Sequence, residues 1–186
     1  MSIGINLWIF YVVGYAIVYP LRLWAEKKRG EPFEDPELSS QKKVMIPALI
    51  WIVGGFIISL FVPINLGFSL YLGLIISIIG LIIVGLTFYS FSQTPGLTTT
   101  KIHKYSRNPN YIGWIIFIGG LTLIGWSESV WSIIFLLYFL YTVGYLHSNV
   151  LIEEKFLASK YGESYQEYLK TTPRYLGIPK NNRNLQ

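Results

Sequence analysis

Two clusters of polar side chains stand out from an otherwise apolar chain. The first is the stretch from Ser92 to Tyr111, with Lys101, His103, Lys104, Tyr105, Arg107, Asn108, Pro109 and Asn110, and the second holds His147, Asn149, Glu153 and Glu154. A guanidinium such as that of Arg107 pairs with a carboxylate through a planar fork of donors. A carboxylate such as Glu153 or Glu154 can accept hydrogen bonds from both hydroxyls of a ribose, or pair with an ammonium. Adjacent residues on a helix project about 100° apart, so these two glutamates would serve different groups. His103 and His147 are the only two histidines, and hence the only side chains whose ordinary pKa lies near neutrality. The chain has no cysteine, which excludes disulfides, thiolate catalysis, Fe–S clusters and thiol-linked lipid anchors. Two histidines are too few for an all-histidine metal centre, so no metal is expected.

The elements that must hold these clusters read as membrane helices. Of the 186 residues 52% are hydrophobic and only 13% charged, against about 25% charged in an average soluble domain. No charged residue occurs from Val44 to Thr100, and Glu128 is the only one between Asn108 and Ile152. Apolar runs at Ile3–Leu21, Val44–Val62, Leu66–Phe91, Tyr111–Trp126 and Ser129–Val150 predict five spans, which use most of the chain and leave room for one membrane domain, residues 1–186. Pro63-Ile64-Asn65 and Ser127-Glu128 supply the turn chemistry for two tight helical hairpins, and Arg29–Gln41 reads as a hydrated loop. Glycines at 54, 55, 73, 80, 85, 119 and 120 would let helices approach closely.

With the N-terminus outside, all 15 Lys and Arg fall on the cytoplasmic side, together with nine of the ten acids. A net charge of +5 would suggest nucleic acid in a soluble protein; here the basic residues sort to one membrane face, and no nucleic-acid partner is expected. Past Val150, Ile152, Phe156, Leu157 and Tyr161 form an apolar stripe at helical spacing, Gly162 can cap it, and Tyr165, Tyr168 and Leu169 begin another amphipathic stretch before Pro173. The fold class expected is therefore an all-α integral membrane protein of about five transmembrane helices, with a C-terminal amphipathic helix and tail, residues 151–186, on the cytoplasmic side. A plasma membrane and an endoplasmic reticulum membrane would both suit this topology.

The run Lys104-Tyr-Ser-Arg107-Asn108-Pro109-Asn110-Tyr111-Ile-Gly113 is followed about 40 residues later by Glu153-Glu154-x-x-Leu157-x-x-x-Tyr161-Gly162-x-x-Tyr165-x-x-Tyr168 and then Pro173-Arg174. Two motifs in this order resemble the integral-membrane methyltransferases, the isoprenylcysteine carboxyl methyltransferase and phospholipid N-methyltransferase relatives. The resemblance covers about the C-terminal 90 residues. It implies an S-adenosylmethionine site enclosed by the last two spans, the loop before them and the C-terminal helix, with a lipophilic acceptor, a carboxylate or a lipid amine, entering from the bilayer. It implies catalytic roles for Arg107 and Asn108, and cofactor contacts from Tyr105, Arg107, Asn108, Pro109, Tyr111, His147, Glu153 and Glu154. Pro109 suits the first turn of span four.

Departures qualify it. Asn108 stands where the family has a histidine, Lys101 where a glycine is usual, and His147 and Asn149 where an arginine commonly precedes the paired glutamates. Asn108 keeps a donor and an acceptor but cannot take up a proton. The function expected is transfer of a methyl group to a membrane-embedded acceptor. The competing readings are a sterol- or steroid-type reductase using NADPH, to which the Asn110-Tyr111 stretch is also similar, and a non-catalytic small helical membrane protein.

Overall fold

Turn residues and polar loops cut the apolar sequence into helices, and the computed structural model describes residues 2–35 and 41–179. Strand β1 (Ser2–Asn6) leads into α1 (Trp8–Arg29). Helix α2 (Lys42–Leu49) widens into a π-helical turn (Ile50–Gly54) and returns to α-geometry in α3 (Gly55–Ser59). Strand β2 (Pro63–Asn65) precedes α4 (Phe68–Gln93). A 3-10 turn (Lys101–Lys104) interrupts the long loop before α5 (Pro109–Ile124), and α6 (Val130–Tyr161) and α7 (Glu163–Thr171) follow. Helices α1, α4 and α6 are long and apolar enough to cross a membrane, and Val44–Ser59 and Pro109–Ile124 are shorter apolar helices. The chain is an all-α membrane protein, as its composition predicts.

Two boundaries differ from expectation, each for a physical reason. The first helix begins at Trp8, not Ile3, because β1 pairs antiparallel with β2 and the Leu7 N–H donates to the Val62 carbonyl at 3.0 Å. The residues read as a bare hairpin, Pro63-Ile64-Asn65, are thus one strand of a small ribbon. The same helix continues past Leu21 to Arg29, where Arg22 and Glu26 form an i,i+4 pair and Gly30 ends it at φ 78°. As the apolar stripe past Val150 predicts, α6 runs unbroken from Val130 to Tyr161, carrying both glutamates on one rigid rod before Gly162, at φ 52°, turns the chain into α7. Part of the expected Arg29–Gln41 loop, residues 36–40, lies outside the described residues.

The centre of the bundle is the antiparallel pair α4 and α5. Gly73 faces Gly120 and Gly80 faces Gly113, so the two backbones meet along a seam of small residues; a Cβ at Gly80 would stand 2.5 Å from the Phe117 nitrogen and 2.7 Å from the Gly113 carbonyl oxygen. Ser77 sits in this seam and donates to the Phe117 carbonyl at 3.3 Å. Helix association in lipid rests on such close van der Waals packing, since lipid tails are as apolar as the side chains they meet. The widened turn of the second span has its own cause. Tyr138 of α6 donates to the Trp51 carbonyl at 2.9 Å and Tyr11 of α1 to the Ile52 carbonyl at 3.0 Å, so two spans bond to carbonyls in the π-helical turn.

The connections sort to the two ends of the bundle. At one end Gly125 lies against Leu7 and Val62, bringing the ribbon beside the short connection between α5 and α6 that contains Glu128. At the other, Arg29 donates to Thr98 at 3.2 Å, the Arg107 N–H donates to the Pro173 carbonyl at 3.0 Å, and Lys160 pairs with Asp35 at 2.9 Å. The first loop, the third loop and the C-terminal segment therefore meet at a single end, and the polar motifs are there.

Candidate functional site

A cavity of about 980 Å³ lies between α1, the second span, α5 and α6, beneath the first and third loops. Ligand pockets run to roughly 300–1,000 Å³, so this one can hold a nucleoside-sized molecule with part of a second ligand. Its two halves differ in chemistry. Between the spans the wall is apolar and aromatic: Tyr15, Val18, Leu49, Trp51, Trp114 and Tyr145. Toward the loops it is polar, with Arg29, Glu34, Thr98, Arg107, Asn110, Asn149 and Glu153.

The paired glutamates diverge as adjacent helical residues must. Glu153 faces the cavity, where its Oε2 accepts a 2.7 Å hydrogen bond from the Tyr111 hydroxyl. Glu154 points away from it into a buried knot: Oε1 meets Arg107 Nη2 at 3.0 Å and Asn108 Nδ2 at 3.2 Å, and Oε2 meets Arg174 Nε and Nη2 at 3.0 and 2.9 Å. Asn108 Nδ2 also donates to the Arg174 carbonyl at 3.1 Å, and Ser106 Oγ donates to the same oxygen at 3.3 Å. One carboxylate thus joins α6 to the third loop and to the chain after α7. Backbone bonds complete the join, from Arg107 N–H to Pro173 and from Gly177 N–H to the Tyr105 carbonyl, each at 3.0 Å. Tyr168 of α7 adds a 2.7 Å bond to the His103 carbonyl.

Of the residues named from the sequence, Arg107, Tyr111 and Glu153 line the cavity. Asn108, Pro109 and Glu154 are buried behind its wall, Pro109 at the first position of α5. Tyr105 is 56% exposed, and His147 is exposed with its Nδ1 hydrogen-bonded to the Tyr175 hydroxyl. Contributions from α1 and the second span, among them Tyr15, Arg29 and Trp51, carry no motif and are brought to the site by packing alone. Asn149, named in the second polar cluster, also lines the cavity, one turn before Glu153 on the same helical face.

Among the described residues three buried polar atoms on the wall have no partner: Trp51 Nε1, Arg107 Nε and Asn110 Oδ1. Buried polar groups are nearly always satisfied, and leaving one unmade costs about 1–3 kcal/mol. Two orphaned donors and an orphaned acceptor around one cavity fit a polar ligand bound there. Arg107 already gives Nη2 to Glu154 and Nη1 to the Leu169 carbonyl, which leaves its Nε for such a ligand.

His103, at the loop end of the wall, is 8% exposed and bonded through Nδ1 to Ser90 Oγ at 3.3 Å. Burial pushes its imidazole down from 6.5 to about 4, so it is neutral at pH 7 and a weak proton acceptor. Between about pH 4 and 6.5 the unfolded chain binds a proton that the folded chain refuses. Stability should therefore fall as pH drops through that window, by on the order of 3 kcal/mol, and be flat above it. Unfolding followed from pH 7 to pH 4 should lose this slope in His103→Gln; an unchanged slope would place the titration elsewhere.

Such a bundle, with an amphipathic cavity flanked by a C-terminal helix, defines a membrane protein whose site can present a polar ligand to a lipophilic one. The family model for phospholipid methyltransferases matches residues 63–164, more than half of the chain, and the chain belongs to that family. Over 84 residues it is 34% identical to protein-S-isoprenylcysteine O-methyltransferase of Schizosaccharomyces pombe, covering 45% of this chain and 33% of the relative. The protein of that name in Dictyostelium discoideum is 28% identical over 91 residues, covering 45% of this chain and 32% of its own length. The match thus spans about a third of these curated relatives. No solved structure matches the chain.

Proposed function

We propose that the protein is a membrane methyltransferase that moves a methyl group from S-adenosylmethionine to a lipophilic acceptor held among its spans. The observation that carries this reading is the two-sided cavity, with Glu153 and the orphaned Arg107 Nε and Asn110 Oδ1 at its polar end and aromatic rings at its apolar end. S-adenosylmethionine, when bound, supplies a methyl group activated by a sulfonium. Glu153 would take the ribose hydroxyls or the ammonium, and Arg107 Nε would donate to the carboxylate. Tyr111 fixes the rotamer of Glu153 through their 2.7 Å bond. Asn108 acts at one remove, holding Glu154 and hence the orientation of Arg107. The protein's contribution to rate is then orientation of the two ligands and exclusion of water.

The membrane orientation follows from charge. The polar end of the cavity shares its end of the bundle with the basic loops, and Lys and Arg favour the cytoplasmic face, where a soluble cofactor is met. The N-terminus would then lie outside, with five spans crossing the bilayer.

Equilibrium binding to the detergent-solubilised protein tests this reading. S-adenosylhomocysteine should bind saturably and NADPH should not. Glu153→Gln should weaken the former roughly tenfold to a hundredfold, as expected for a charge-assisted hydrogen bond of about 1.5–3 kcal/mol, without lowering thermal stability. Binding of NADPH in place of S-adenosylhomocysteine would instead support a reductase.

A further inference from the structure

The Trp51 side chain is assigned nothing by the motifs and lies upstream of the residues that the family model matches. It is 8% exposed, lines the apolar half of the cavity, and its indole Nε1 is buried without a partner among the described residues. Its place is closely determined. The ring meets Trp114 edge-on at 5.3 Å between centroids, with Tyr145 at 5.6 Å and Tyr15 at 6.2 Å. Its own carbonyl accepts the Tyr138 hydroxyl at 2.9 Å, which pins the backbone of the π-helical turn to α6. Such turns are frequent at functional sites.

A tryptophan N–H can only donate. Nε1 lies on the cavity wall, where a molecule bound in the cavity can meet it. The neighbouring wall is Leu49, Ile52, Tyr15 and Trp114, an apolar and aromatic surface along which a lipid chain can lie. Arg107 and Asn110, the other two orphaned groups, belong to the α5 motif at the polar end. We infer that Trp51 positions the methyl acceptor: its indole N–H donates to an anionic oxygen, carboxylate or phosphate, of a lipophilic acceptor lying along the aromatic wall. This rests on the methyltransferase reading and extends it to the acceptor. It also supplies, from the second span, a donor that the sequence lacks where the family's arginine precedes the paired glutamates.

Binding of two probes to protein in lipid nanodiscs tests the assignment: N-acetyl-S-farnesylcysteine, which carries a carboxylate, and a short-chain phosphatidylethanolamine, which carries a phosphate. Each is paired with an analogue lacking that group, N-acetyl-S-farnesylcysteamine and the matching diacylglycerol. Trp51→Phe keeps an aromatic ring and removes the N–H. Its affinity for whichever oxygen-bearing probe the parent binds should fall about tenfold, while affinity for the analogue and for S-adenosylhomocysteine stays within twofold. A benzothienyl analogue of tryptophan at position 51, which keeps the bicyclic shape and replaces only the N–H by sulfur, should reproduce the loss even if the phenylalanine variant folds poorly. Equal affinity of parent and benzothienyl protein for the probe overturns the assignment, as does an equal loss for probe and analogue, which would mark Trp51 as packing only. Binding of neither probe by a parent that still binds S-adenosylhomocysteine overturns it too. Failure to bind S-adenosylhomocysteine at all would count against the methyltransferase reading itself.

Discussion

Glu154→Ala is expected to unfold or severely loosen the polar end of the protein. Glu154 and Arg107 have side-chain exposures of 10% and 9%, and the carboxylate takes contacts from Arg107, Asn108 and Arg174. Removing it leaves two guanidiniums facing one another, one of them buried, with no opposing charge. Breaking a buried pair in this way costs about 3–5 kcal/mol, a large fraction of the stability of a typical domain. Thermal unfolding in detergent should fall sharply, and release of the segment after α7 should appear as fast hydrogen exchange at the Arg107 and Gly177 amides, which bond across that junction. Glu154→Gln keeps the shape and one acceptor oxygen, so it should fall between parent and alanine variant. The contrast with Glu153 is the sharper test. Glu153→Gln should weaken the ligand and spare the fold, whereas Glu154→Ala should damage the fold first. Equal stability of Glu154→Ala and parent would mean that the knot contributes nothing.

Gly80→Val is expected to disrupt the α4–α5 seam. The added Cβ would lie 2.5 Å from the Phe117 nitrogen, 2.7 Å from the Gly113 carbonyl oxygen and 2.8 Å from the Phe117 Cα, and all three are backbone atoms that no rotamer change can move. The helices must separate, with loss of about 3 kcal/mol, the upper end of ordinary overpacking penalties, and α5 would carry Tyr111 and Trp114 out of place with it. Gly85→Val on the same helix is the control, because its Cβ would meet only Leu21 Cδ1 at 3.8 Å, an ordinary contact. A melting temperature for Gly80→Val close to that of Gly85→Val would refute the seam as the centre of the bundle.

The apolar runs, the glycine spacing and the two motifs were legible in the sequence because each is a local pattern. Hydrocarbon admits backbone only where its hydrogen bonds are satisfied internally, so long uncharged stretches had to become helices. The continuation of α6 past Val150 was equally local, since its stripe keeps helical spacing and Gly162 ends it. That Glu153 and Glu154 point to different partners follows from helix geometry alone. Which of them faces a cavity does not, because it depends on how α6 is rotated against α5, set by contacts such as Tyr138 to Trp51 from a distant part of the chain. The β1–β2 ribbon escaped the sequence for the same reason: residues 3–6 are apolar enough for a span, and only pairing with residues 63–65 makes them a strand. Asn108 reads as a site residue by motif, yet packing turns its amide to Glu154, the carboxylate that also pairs with Arg107. Trp51 and Tyr15 have no sequence signal at all. Their chemistry is that of any interfacial aromatic until four spans close around them, and the unpartnered indole N–H of Trp51 gains meaning only from the burial that this closure creates.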